Sequence, residues 1–523
     1  MGGSSLVRFA PAGSAVEVAP GVTVLEAAVS AGVVIPAPCG GKGACGRCAV
    51  TVVEGELEPA SEREVAALAR ARADASRVRL ACMARIAGPV TVRPRATTGR
   101  TATPVAPRTT TRVVAGVDLG TTSVAAQLID TATHAVAGTS RVANRQAVFG
   151  ADVLSRISVA ISGRSEELRE AAEESIAEAV TYALGAVDVD AVPVDRVVIA
   201  GNTAMISLLA GAEVSGLASH PFSHALSSVR LLESRRLSEA IPGAEIVVVP
   251  PIAAFVGGDL VAGMLAEGLA GPAEETLFVD IGTNAEVAAV AGDELVVASA
   301  PAGPAFEGWG IACGGQAGAG GIVRVLPADE GGLRPVVEAG PATHLTGSGL
   351  ISTVALLTRA GHLDADGLLH RSGPVQDRFF TSEGVTAVAL GDDPNDRTVF
   401  ITQLDVRALQ SAKAAVCVAL RTIASSVSIG GGQLRACIVT GAFGGALEPR
   451  DLVELGIVPA DTATVLRYAP DAALRGAAAM ALDWRLMEDA ANLARRATHL
   501  DLASGESFTA EFVRCLRLEP FTL

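Results

Sequence analysis

The sequence predicts an α/β protein that carries a small β-rich domain at its N-terminus. Three observations support this fold class. Strand-like and helix-like patterns alternate from residue 113 onward, as they do in α/β proteins. Half of the 523 residues are hydrophobic but only 3% are aromatic, so alanine and aliphatic side chains must build the cores. Residues 95–112, rich in Thr, Pro and Arg, separate the alternating part from residues 1–94.

Apolar periodicity predicts the individual elements, because a strand repeats every second residue and a helix about every 3.6 residues. Ser61, with Glu64 three residues later, matches the capping box that begins many helices. In residues 1–94 we predict strands at residues 16–18, 49–53 and 90–92, and helices at residues 24–32 and 61–71. From residue 113 onward we predict strands at residues 113–117, 197–200, 245–249, 276–279, 286–290 and 436–439, and helices at residues 165–184 and 405–425.

The segment at residues 95–112 lacks apolar periodicity, and its composition therefore predicts a linker. An irregular but ordered strap across the surface is the alternative interpretation. We expect one domain before this linker and two after it. The first is an N-terminal domain at residues 1–94, and the other two are a first lobe or middle domain at residues 113–200 and a main domain at residues 201–523.

The charge and hydropathy of the chain exclude several classes of partner. The net charge of −15 repels phosphate backbones, so no nucleic acid partner is expected. No stretch reaches the roughly 18 uninterrupted apolar residues of a membrane span, so no membrane partner is expected either. The first ten residues lack a signal sequence. We therefore expect a cytoplasmic protein, in which thiols stay reduced and clustered cysteines favour metal over disulfides.

Four of the eight cysteines form one pattern near the N-terminus. Three are spaced C-x5-C-x2-C in a glycine-rich loop, and the fourth stands in the segment LACMAR. A tight thiolate loop plus one distant thiolate is how [2Fe–2S] clusters are ligated, whereas zinc sites usually pair two short C-x2–4-C units. We predict a [2Fe–2S] cluster, with zinc as the alternative, and the ligands are Cys39, Cys45, Cys48 and Cys82. The other cysteines, Cys313, Cys417, Cys437 and Cys515, are expected to be buried small hydrophobic side chains.

A short turn with the pattern Asp-x-Gly-Thr occurs twice, each time directly after a predicted strand. Its glycine permits the turn, and its backbone N–H groups and hydroxyls can cradle phosphate oxygens. The aspartate at the strand end can hold Mg²⁺ through water. Two copies in matching strand contexts predict two related lobes that face one nucleotide. The first copy comprises Asp118, Gly120, Thr121 and Thr122, and the second comprises Asp280, Gly282, Thr283 and Asn284.

A third, glycine-rich turn follows the strand predicted at residues 436–439. Its glycines would let the backbone lie against a flat adenine ring, and an ordinary strand-to-helix turn is the alternative. The chain has no G-x4-G-K-[ST] loop, which excludes a Walker-type ATPase, and no G-x-G-x-x-G after a strand, which argues against a Rossmann site. The candidate adenine-binding residues are Gly441, Ala442, Gly444 and Gly445.

Both sets of residues resemble known protein families. The segments PCGGKGACGRCAV and RLACMARI resemble [2Fe–2S] ferredoxin domains of the adrenodoxin type, which implies a β-grasp fold for residues 1–94. The three turns resemble the phosphate 1, phosphate 2 and adenosine motifs of the superfamily of acetate and sugar kinases, actin and heat-shock chaperones. That resemblance implies an ATPase of two ribonuclease-H-like lobes with ATP in the cleft. Asp118 and Asp280 would then act on Mg·ATP and position water.

A ferredoxin domain joined to such an ATPase resembles the reductive activators of corrinoid proteins. Further segments that resemble this family are NRQAVFGADVLSRI, GNTAM, PAFEG and ITQLDVRALQSAKAA. The resemblance implies that ATP drives one electron from the cluster to the inactive Co(II) corrinoid of a partner methyltransferase protein and restores Co(I). It also implies a homodimer and an external electron donor that the sequence does not identify.

Some assignments stay open at the level of the sequence. Asp152 and Glu307 are candidates, by resemblance, for the carboxylate that activates the attacking water, and Asp152 is equally a structural acid at a helix start. One alternative function is an ATP-dependent electron donor to another low-potential metalloenzyme, although such donors hold their cluster within the ATPase fold. Another is an iron–sulfur and ATP sensor without catalytic activity, which the intact Asp118 and Asp280 disfavour.

Overall fold

The computed structural model of the chain divides into two compact units. The first unit comprises Met1–Asp259 and Ala477–Met487, and the second comprises Leu260–Gly476 and Glu488–Leu523. Among the described residues, two large sheets belong to the first unit and one large and two small sheets belong to the second. The described residues are 4–10, 14–31, 33, 35, 43, 48–70, 77–94, 101–104, 112–150, 152–185, 187, 192–315, 318–328, 332–391, 393–427, 429, 434–441, 443, 447–502 and 508–523.

Five strands and two helices form the N-terminal part of the first unit. They are β1 (Ser5–Phe9), β2 (Ser14–Val18), α1 (Val24–Ser30), β3 (Ala49–Leu57), α2 (Glu62–Arg70), β4 (Val78–Leu80) and β5 (Ile86–Pro94). The strands lie in the order β2-β1-β5-β3-β4. The neighbours β1 and β5 are parallel, while the other pairs are antiparallel. This mixed sheet has the β-grasp arrangement that the resemblance to ferredoxins implies.

The core of this N-terminal part is small and almost entirely aliphatic, as the composition predicts. The side chains of Val7, Phe9, Val50, Leu68 and Leu80 are at most 1% exposed and belong to one cluster. They come from both helix and sheet, so burial of their apolar surface holds α2 against the strands.

The side chain of Glu64 does not complete the predicted capping box. Ser61 Oγ accepts the backbone N–H of Glu64 at 3.2 Å, as an N-cap should. The Glu64 carboxylate, however, turns inward and accepts hydrogen bonds from Arg79 Nε and Nη2, both at 2.9 Å, and from the Leu80 N–H at 2.9 Å. Both side chains of this ion pair are buried, and a buried carboxylate is tolerated only with such partners. The pair therefore fastens α2 to β4.

A seven-stranded sheet forms the rest of the first unit. Its elements are β6 (Thr101–Pro104), β7 (Val113–Leu119), β8 (Ser123–Asp130), β9 (Val136–Ala143), α3 (Val153–Val159), α4 (Ser165–Leu184), β10 (Val194–Gly201), α5 (Thr203–Leu209), β11 (Arg230–Leu231), α6 (Arg235–Ala240) and β12 (Glu245–Val248), followed by α7 (Gly258–Ala266), which enters the second unit. The strand order is β11-β12-β10-β7-β8-β9-β6. Helix α4 packs on β8 and β9 and buries Leu168, Ile176 and Val180 in the core.

Part of the predicted linker is a strand. Strand β6 pairs with β9 in antiparallel fashion, with Thr101 opposite Arg141 and Pro104 opposite Gly138. This ordered part corresponds to the alternative interpretation of the segment, while residues 95–100 and 105–111 lie outside the described residues. The sequence also predicts a domain boundary between residues 200 and 201, and strand β10 continues across this boundary. The domain bounds themselves stay predictions.

The second unit is built on a six-stranded sheet with the order β23-β22-β13-β14-β15-β24 and on two three-stranded sheets, β17-β16-β18 and β19-β20-β21. From residue 273 onward the elements are β13 (Ala273–Ile281), β14 (Ala285–Gly292), β15 (Glu294–Ala300), β16 (Gly321–Pro327), β17 (Leu333–Val337), β18 (His344–Leu345), α8 (Gly347–Arg359), β19 (Phe379–Ser382), β20 (Val385–Ala389), β21 (Phe400–Thr402), α9 (Gln403–Ser426), β22 (Ala436–Gly441), α10 (Pro449–Glu454), β23 (Leu466–Tyr468), α11 (Ala472–Leu482), α12 (Arg485–Arg496), β24 (Thr498–His499) and α13 (Phe508–Cys515).

Helix α9 forms the centre of the second unit. It has 24 residues, packs against β14 and β15, and buries side chains along most of its length. It begins at a capping box in which Thr402 Oγ1 accepts the Asp405 N–H at 3.2 Å and the Asp405 carboxylate accepts the Thr402 N–H at 2.8 Å. Neither α9 nor any other helix in the described part of the chain is long and apolar enough to cross a membrane.

The two central sheets share one strand order. In the first unit β9, β8 and β7 form an antiparallel meander that β10 and β12 extend in parallel. In the second unit β15, β14 and β13 form the meander, and β22 and β23 extend it. This is the ribonuclease-H-like arrangement, and its repetition confirms the predicted α/β fold with two related lobes.

Most predicted elements coincide with observed ones. The helix predicted at residues 165–184 is α4, and the strands predicted at residues 113–117, 276–279 and 286–290 lie within β7, β13 and β14. Strands β8 and β9 have no counterpart among the predictions. Their sequences, SVAAQLID and VAGTSRVA, are rich in Ala, Gly, Ser and Thr, which blurs the alternation of apolar and polar residues that marks a strand.

Candidate cluster and nucleotide sites

Two of the four predicted cluster ligands lie side by side. Cys48 directly precedes β3 and Cys82 follows β4, so the pairing of β3 with β4 brings them together. Their Sγ atoms are 3.3 Å apart. Two thiolates on one tetrahedral metal ion, with metal–sulfur bonds of about 2.3 Å, lie about 3.8 Å apart, so the pair needs to open by only about half an ångström. Cys39 and Cys45 lie outside the described residues, and the four-ligand set stays a prediction.

The surroundings of Cys82 favour a thiolate. Its pKa is lowered to about 7, mainly by a hydrogen bond from Cys48; burial opposes the shift, and a hydrogen bond from the backbone of Gly43 assists it. Gly43 has φ +65°, a left-handed backbone conformation that favours glycine, and a Cβ there would also lie 2.3 Å from Met83 Sδ. Metal-binding cysteines must be deprotonated. The adjacent sulfurs of Cys48 and Cys82 therefore fit an iron–sulfur cluster held by thiolates.

The first phosphate turn joins β7 to β8. Asp118 is the last but one residue of β7, and Gly120, Thr121 and Thr122 form the tip of the hairpin. A Cβ on Gly120 would lie 2.8 Å from the carbonyl oxygen of Ser123. The turn is therefore too tight for a larger residue, as the pattern predicts.

Three side chains outside the first turn hold it in place. Asn144 Nδ2 donates to the Gly120 carbonyl at 2.8 Å, and Arg156 Nη2 donates to the Thr121 carbonyl at 2.6 Å. Asn202 Nδ2 donates to the Thr121 hydroxyl at 3.1 Å. Two of these donors bind carbonyl oxygens of the turn and offset their partial negative charge. These oxygens therefore do not repel an anion that approaches the N–H groups of the turn.

Arg156 places a buried positive charge behind the first turn. Its side chain is fully buried, and its guanidinium also donates to the Gly150 carbonyl at 2.9 Å and to Gln146 Oε1 at 3.3 Å. Burial lowers the pKa of Arg156 to about 9, while the Asp152 carboxylate opposes the shift. The side chain stays charged at neutral pH, and these hydrogen-bond partners are neutral groups. The charge is therefore available to attract an anion at the turn.

The second phosphate turn joins β13 to β14. Asp280 is the last but one residue of β13, and the Gly282 N–H donates to the Asn284 carbonyl at 2.9 Å to close the turn. The Thr283 hydroxyl donates to Glu307 Oε1 at 3.1 Å. A Cβ on Gly282 would lie 3.3 Å from the same oxygen. The carboxylate of Glu307 thus lies directly beside the turn.

The third turn begins next to the second. Strand β22 runs parallel to β13, with Thr440 opposite Asp280 and Gly441 opposite Ile281. Gly441 has φ +135°, and a Cβ there would lie 2.1 Å from the Ile281 carbonyl oxygen. The Tyr468 hydroxyl donates to the Gly441 carbonyl at 3.1 Å. The start of the candidate adenosine turn and the phosphate 2 turn therefore share one edge of the sheet. Ala442, Gly444 and Gly445 lie outside the described residues.

Three family models match the chain one after another. A model of the 2Fe-2S iron-sulfur cluster binding domain matches residues 8–87. The RACo middle region matches residues 113–271, and the C-terminal domain of RACo, the ASKHA domain, matches residues 274–521. The chain belongs to the RACo family. It therefore carries an iron–sulfur domain followed by an ATP-binding ASKHA domain, and the family resemblance found in the sequence is confirmed.

Known proteins resemble this RACo-family chain over most of its length. The corrinoid activation enzyme RamQ of Eubacterium limosum is 28% identical over 409 residues, which cover 76% of this chain and 68% of the relative. The [Co(II) methylated amine-specific corrinoid protein] reductase of Methanosarcina barkeri is 26% identical over 426 residues, 75% of this chain and 74% of the relative. A solved structure of a reductive activator for corrinoid,iron-sulfur protein is 26% identical and covers 98% of both chains with a TM-score of 0.71.

The two carboxylates considered for water activation in this RACo-family chain have different surroundings. Asp152 caps α3, since its side chain accepts the Ser155 N–H at 2.8 Å and the Ser155 hydroxyl lies 3.3 Å from the Asp152 N–H. This capping box gives Asp152 a structural role at the start of α3. Glu307 contacts Thr283 of the phosphate 2 turn instead. Of these two carboxylates, Glu307 is thus the one that lies beside a phosphate turn.

Positioning residues of the RACo-family chain were not among the predicted site residues. Asn144, Arg156 and Asn202 lie 24, 35 and 81 residues from the turn residues that they hold. The sequence contains a signal that could have found them. Asn144 and Arg156 stand in the segment NRQAVFGADVLSRI and Asn202 stands in GNTAM, both of which resemble the family, and a buried polar group needs a partner. The sequence does not reveal which partner that is.

Proposed function

We propose that this chain is an ATP-dependent reductive activator of a corrinoid protein. It passes one electron from a [2Fe–2S] cluster to the inactive Co(II) corrinoid of a partner and restores Co(I). The observation that carries the proposal is the presence, in one RACo-family chain, of an iron–sulfur domain and an ATPase with two phosphate turns. The names of the three relatives, each an activator or reductase of a corrinoid protein, support the choice of substrate.

The electron enters and leaves through the N-terminal part of the first unit. A bound [2Fe–2S] cluster would supply one-electron redox chemistry. We propose Cys39, Cys45, Cys48 and Cys82 as its ligands, because the C-x5-C-x2-C spacing and the 3.3 Å between the Cys48 and Cys82 sulfurs fit this cluster type. A surface depression lined by Arg63, Cys82 and Arg85, among others, gives a redox partner access to the ligand side.

ATP is required because reduction of Co(II) to Co(I) needs a very low potential, which a [2Fe–2S] cluster of ordinary potential does not reach. ATP hydrolysis releases on the order of 10 kcal/mol, which corresponds to about 400 mV for one electron. We propose that ATP supplies this work by driving a conformational change or a change of cobalt ligation in the complex with the partner.

The residues of the three turns have different roles in binding and hydrolysing the nucleotide. Asp118 and Asp280 hold Mg²⁺ through water, as magnesium prefers. Glu307, beside Thr283, orients the attacking water. The parallel pairing of β13 with β22 supports a common site for phosphate 2 and adenosine in the second unit. The phosphate-binding residues are Gly120, Thr121, Thr122, Gly282, Thr283 and Asn284, and the adenine-binding residues are Gly441, Ala442, Gly444 and Gly445.

The proposal extends to partner and assembly. The corrinoid partner belongs to a methyltransferase system, an external donor reduces the cluster, and the active form is a homodimer. The family resemblance supports these statements. Cysteines clustered for metal binding rather than for disulfides support a cytoplasmic location.

An anaerobic assay tests the proposal. The full-length protein with its cluster is mixed with a Co(II) corrinoid protein and a low-potential reductant, with and without Mg·ATP, and Co(I) is followed by its absorbance. We expect Co(I) to form only with ATP and the corrinoid protein to accelerate ATP hydrolysis. The isosteric substitution Asp280→Asn should lower both rates by about 100-fold, because it removes a charge at the phosphate 2 turn.

Asp293→Asn is the matched control, since this aspartate is exposed between β14 and β15 in the same unit. It should leave both rates unchanged. Formation of Co(I) at the same rate without ATP would refute the activator proposal. Full activity of the Asp280→Asn variant would refute the assignment of the nucleotide site but not the activator proposal.

A further inference from the structure

Two buried cysteines meet between the long helix α9 and the C-terminal helix α13. Cys417 lies in α9 and is 1% exposed, and Cys515 ends α13 and is 6% exposed. Their Sγ atoms lie 2.7 Å apart. A disulfide bond is about 2.05 Å long. Bond formation therefore requires the two sulfurs to approach by less than one ångström.

Tertiary packing holds the pair together, because the two cysteines are 98 residues apart in the sequence. A small apolar cluster surrounds them and buries the contact between the helices. On the α9 side it contains Ala414 and Val418, and on the C-terminal side it contains Phe508, Phe512, Leu516 and Phe521.

A buried lysine lies next to the two sulfurs. Lys413 is one helical turn before Cys417, is 1% exposed, and donates to the Arg517 carbonyl at 2.7 Å. A nearby ammonium group favours a thiolate over a thiol. The pKa of Cys515 is lowered, first by its hydrogen bond with Cys417 and also by Lys413, while burial opposes the shift. The same hydrogen bond and burial raise the pKa of Cys417. Of the two sulfurs, Cys515 is therefore the one that ionises first.

We propose that Cys417 and Cys515 form a reversible dithiol–disulfide pair that fastens the C-terminal helix α13 to α9. The oxidant is a low-molecular-weight disulfide. When the C-terminal helix opens locally and exposes Cys515, the Cys515 sulfur loses its proton and attacks one sulfur of the oxidant, whose S–S bond breaks and releases a first thiolate. The Cys417 sulfur, on losing its proton, attacks Cys515 Sγ, which forms the intramolecular bond and releases a second thiolate. Two electrons pass to the oxidant, and the two protons of the pair are taken up by the released thiolates.

Oxidation should stabilise the second unit without changing its native geometry. The new bond closes a long chain loop and so restricts the unfolded chain. Helix α9 also supports the nucleotide site, since the Asp405 carboxylate at its start accepts the Ala312 N–H at 2.7 Å in the loop after Glu307. Because the sulfurs are already adjacent, this support should be the same in both redox states. We therefore expect a higher melting temperature and an unchanged rate of ATP hydrolysis.

Peptide mapping tests the proposal on the full-length protein with its cluster, independently of the proposed function. The protein is equilibrated without oxygen at defined ratios of reduced to oxidised glutathione, quenched with acid, and alkylated. Trypsin should release residues 414–421 and 515–517, which a disulfide would link. We expect the linked fraction to rise reversibly with oxidised glutathione and the melting temperature to rise by about 5 °C. Iron content, measured in parallel, reports any loss of the cluster.

Cys437 supplies the matched control. It is fully buried in β22, and burial raises its pKa to about 12, so it stays a thiol at neutral pH. Cys417→Ala and Cys515→Ala should each abolish the linked peptide and the melting shift, whereas Cys437→Ala should keep both. If the two peptides were recovered unlinked, each with an alkylated cysteine, at every glutathione ratio, the proposal would be overturned. A linked peptide that left the melting temperature unchanged would overturn it as well.

Discussion

At the scale of single residues, the first phosphate turn is positioned by side chains that lie outside it. Asn202 is the clearest case, because the two atoms of its amide have separate tasks. Its Oδ1 accepts the Met205 N–H at 3.0 Å and caps α5, while its Nδ2 donates to the Thr121 hydroxyl. The cap supports the helix, and the second bond orients a proposed phosphate ligand. A single substitution can separate the two tasks.

Asn202→Asp should weaken ATP binding without unfolding α5. The carboxylate keeps the cap, because aspartate is as good an N-cap as asparagine. It loses the donor to Thr121 and adds a negative charge near the phosphates. We expect the dissociation constant for Mg·ATP to rise about 10-fold, which corresponds to about 1.4 kcal/mol. Calorimetric titration measures the affinity, and thermal melting checks the fold.

Asn492→Asp controls for the added charge, since Asn492 is exposed on α12. It should bind Mg·ATP as the unchanged protein does. An Asn202→Asp variant with normal affinity would show that the Thr121 hydroxyl does not bind the nucleotide.

Glu307 and Asp152 should respond differently to substitution. Glu307→Gln keeps the size of the side chain and an acceptor for Thr283 but removes the base. We expect the turnover number for ATP hydrolysis to fall about 100-fold while the affinity for Mg·ATP stays within about threefold. Asp152→Ala should instead lower the free energy of unfolding by about 1 kcal/mol through loss of its cap, with ATP hydrolysis maintained. Steady-state ATPase rates and urea denaturation measure the two effects, and the reverse pattern would assign water activation to Asp152.

At the scale of elements, one strand pair determines the geometry of two turns. Strands β13 and β22 are parallel neighbours and end together, at Ile281 and Gly441. The backbone of Gly441 approaches Ile281 so closely that no side chain fits between them. The candidate adenosine turn therefore depends on this contact as much as on its own glycines.

Gly441→Ala should disrupt both turns. The new Cβ would lie 2.1 Å from the Ile281 carbonyl oxygen, and φ +135° is strained for alanine. We expect the free energy of unfolding to fall by about 3 kcal/mol and ATP binding to be lost. Urea denaturation and calorimetric titration measure these effects. Gly271→Ala is the control, since no atom lies within 4 Å of the added Cβ, and its stability should change by less than about 0.5 kcal/mol. Normal ATP binding by Gly441→Ala would contradict the placement of the adenosine turn.

At the scale of the whole molecule, electron transfer and ATP hydrolysis are built on separate cores. The N-terminal part has its own sheet and its own buried cluster around Phe9 and Leu80. The two ribonuclease-H-like sheets have different clusters, centred on residues such as Val117 in the first unit and Val279 in the second. Loss of the iron–sulfur cluster should therefore not unfold the ATPase.

Cys82→Ser should separate the two activities. The substitution removes a proposed ligand, so we expect loss of the iron–sulfur absorbance and iron content and no formation of Co(I). ATP hydrolysis in the absence of the corrinoid protein should stay within about twofold, because the nucleotide turns belong to other cores. Cys313→Ser, in the second unit, should keep the cluster. A Cys82→Ser variant that retained a full complement of iron would contradict the ligand assignment.

Much of the fold and of the chemistry could be predicted from local sequence. The Asp-x-Gly-Thr turns and the glycine at position 441 are features of a few consecutive residues, and each lies where the pattern predicts, at the end of a strand. The long helices α4 and α9 were predicted because their apolar periodicity extends over many residues. The Ala- and Gly-rich strands β8 and β9 were not, because small side chains carry little periodic signal. The cysteine ligand set stays a prediction, supported by the proximity of Cys48 and Cys82.

The sequence by itself determined which chemical groups this protein carries and where strands end in tight turns. Only the tertiary structure decided which distant groups meet. It directs Glu64 to Arg79 instead of the helix start, places Arg156 behind Thr121, and brings Cys417 to Cys515 across 98 residues. The physical reason is that a backbone turn depends on local sterics, whereas the partner of a buried side chain depends on the packing of elements far apart in the chain.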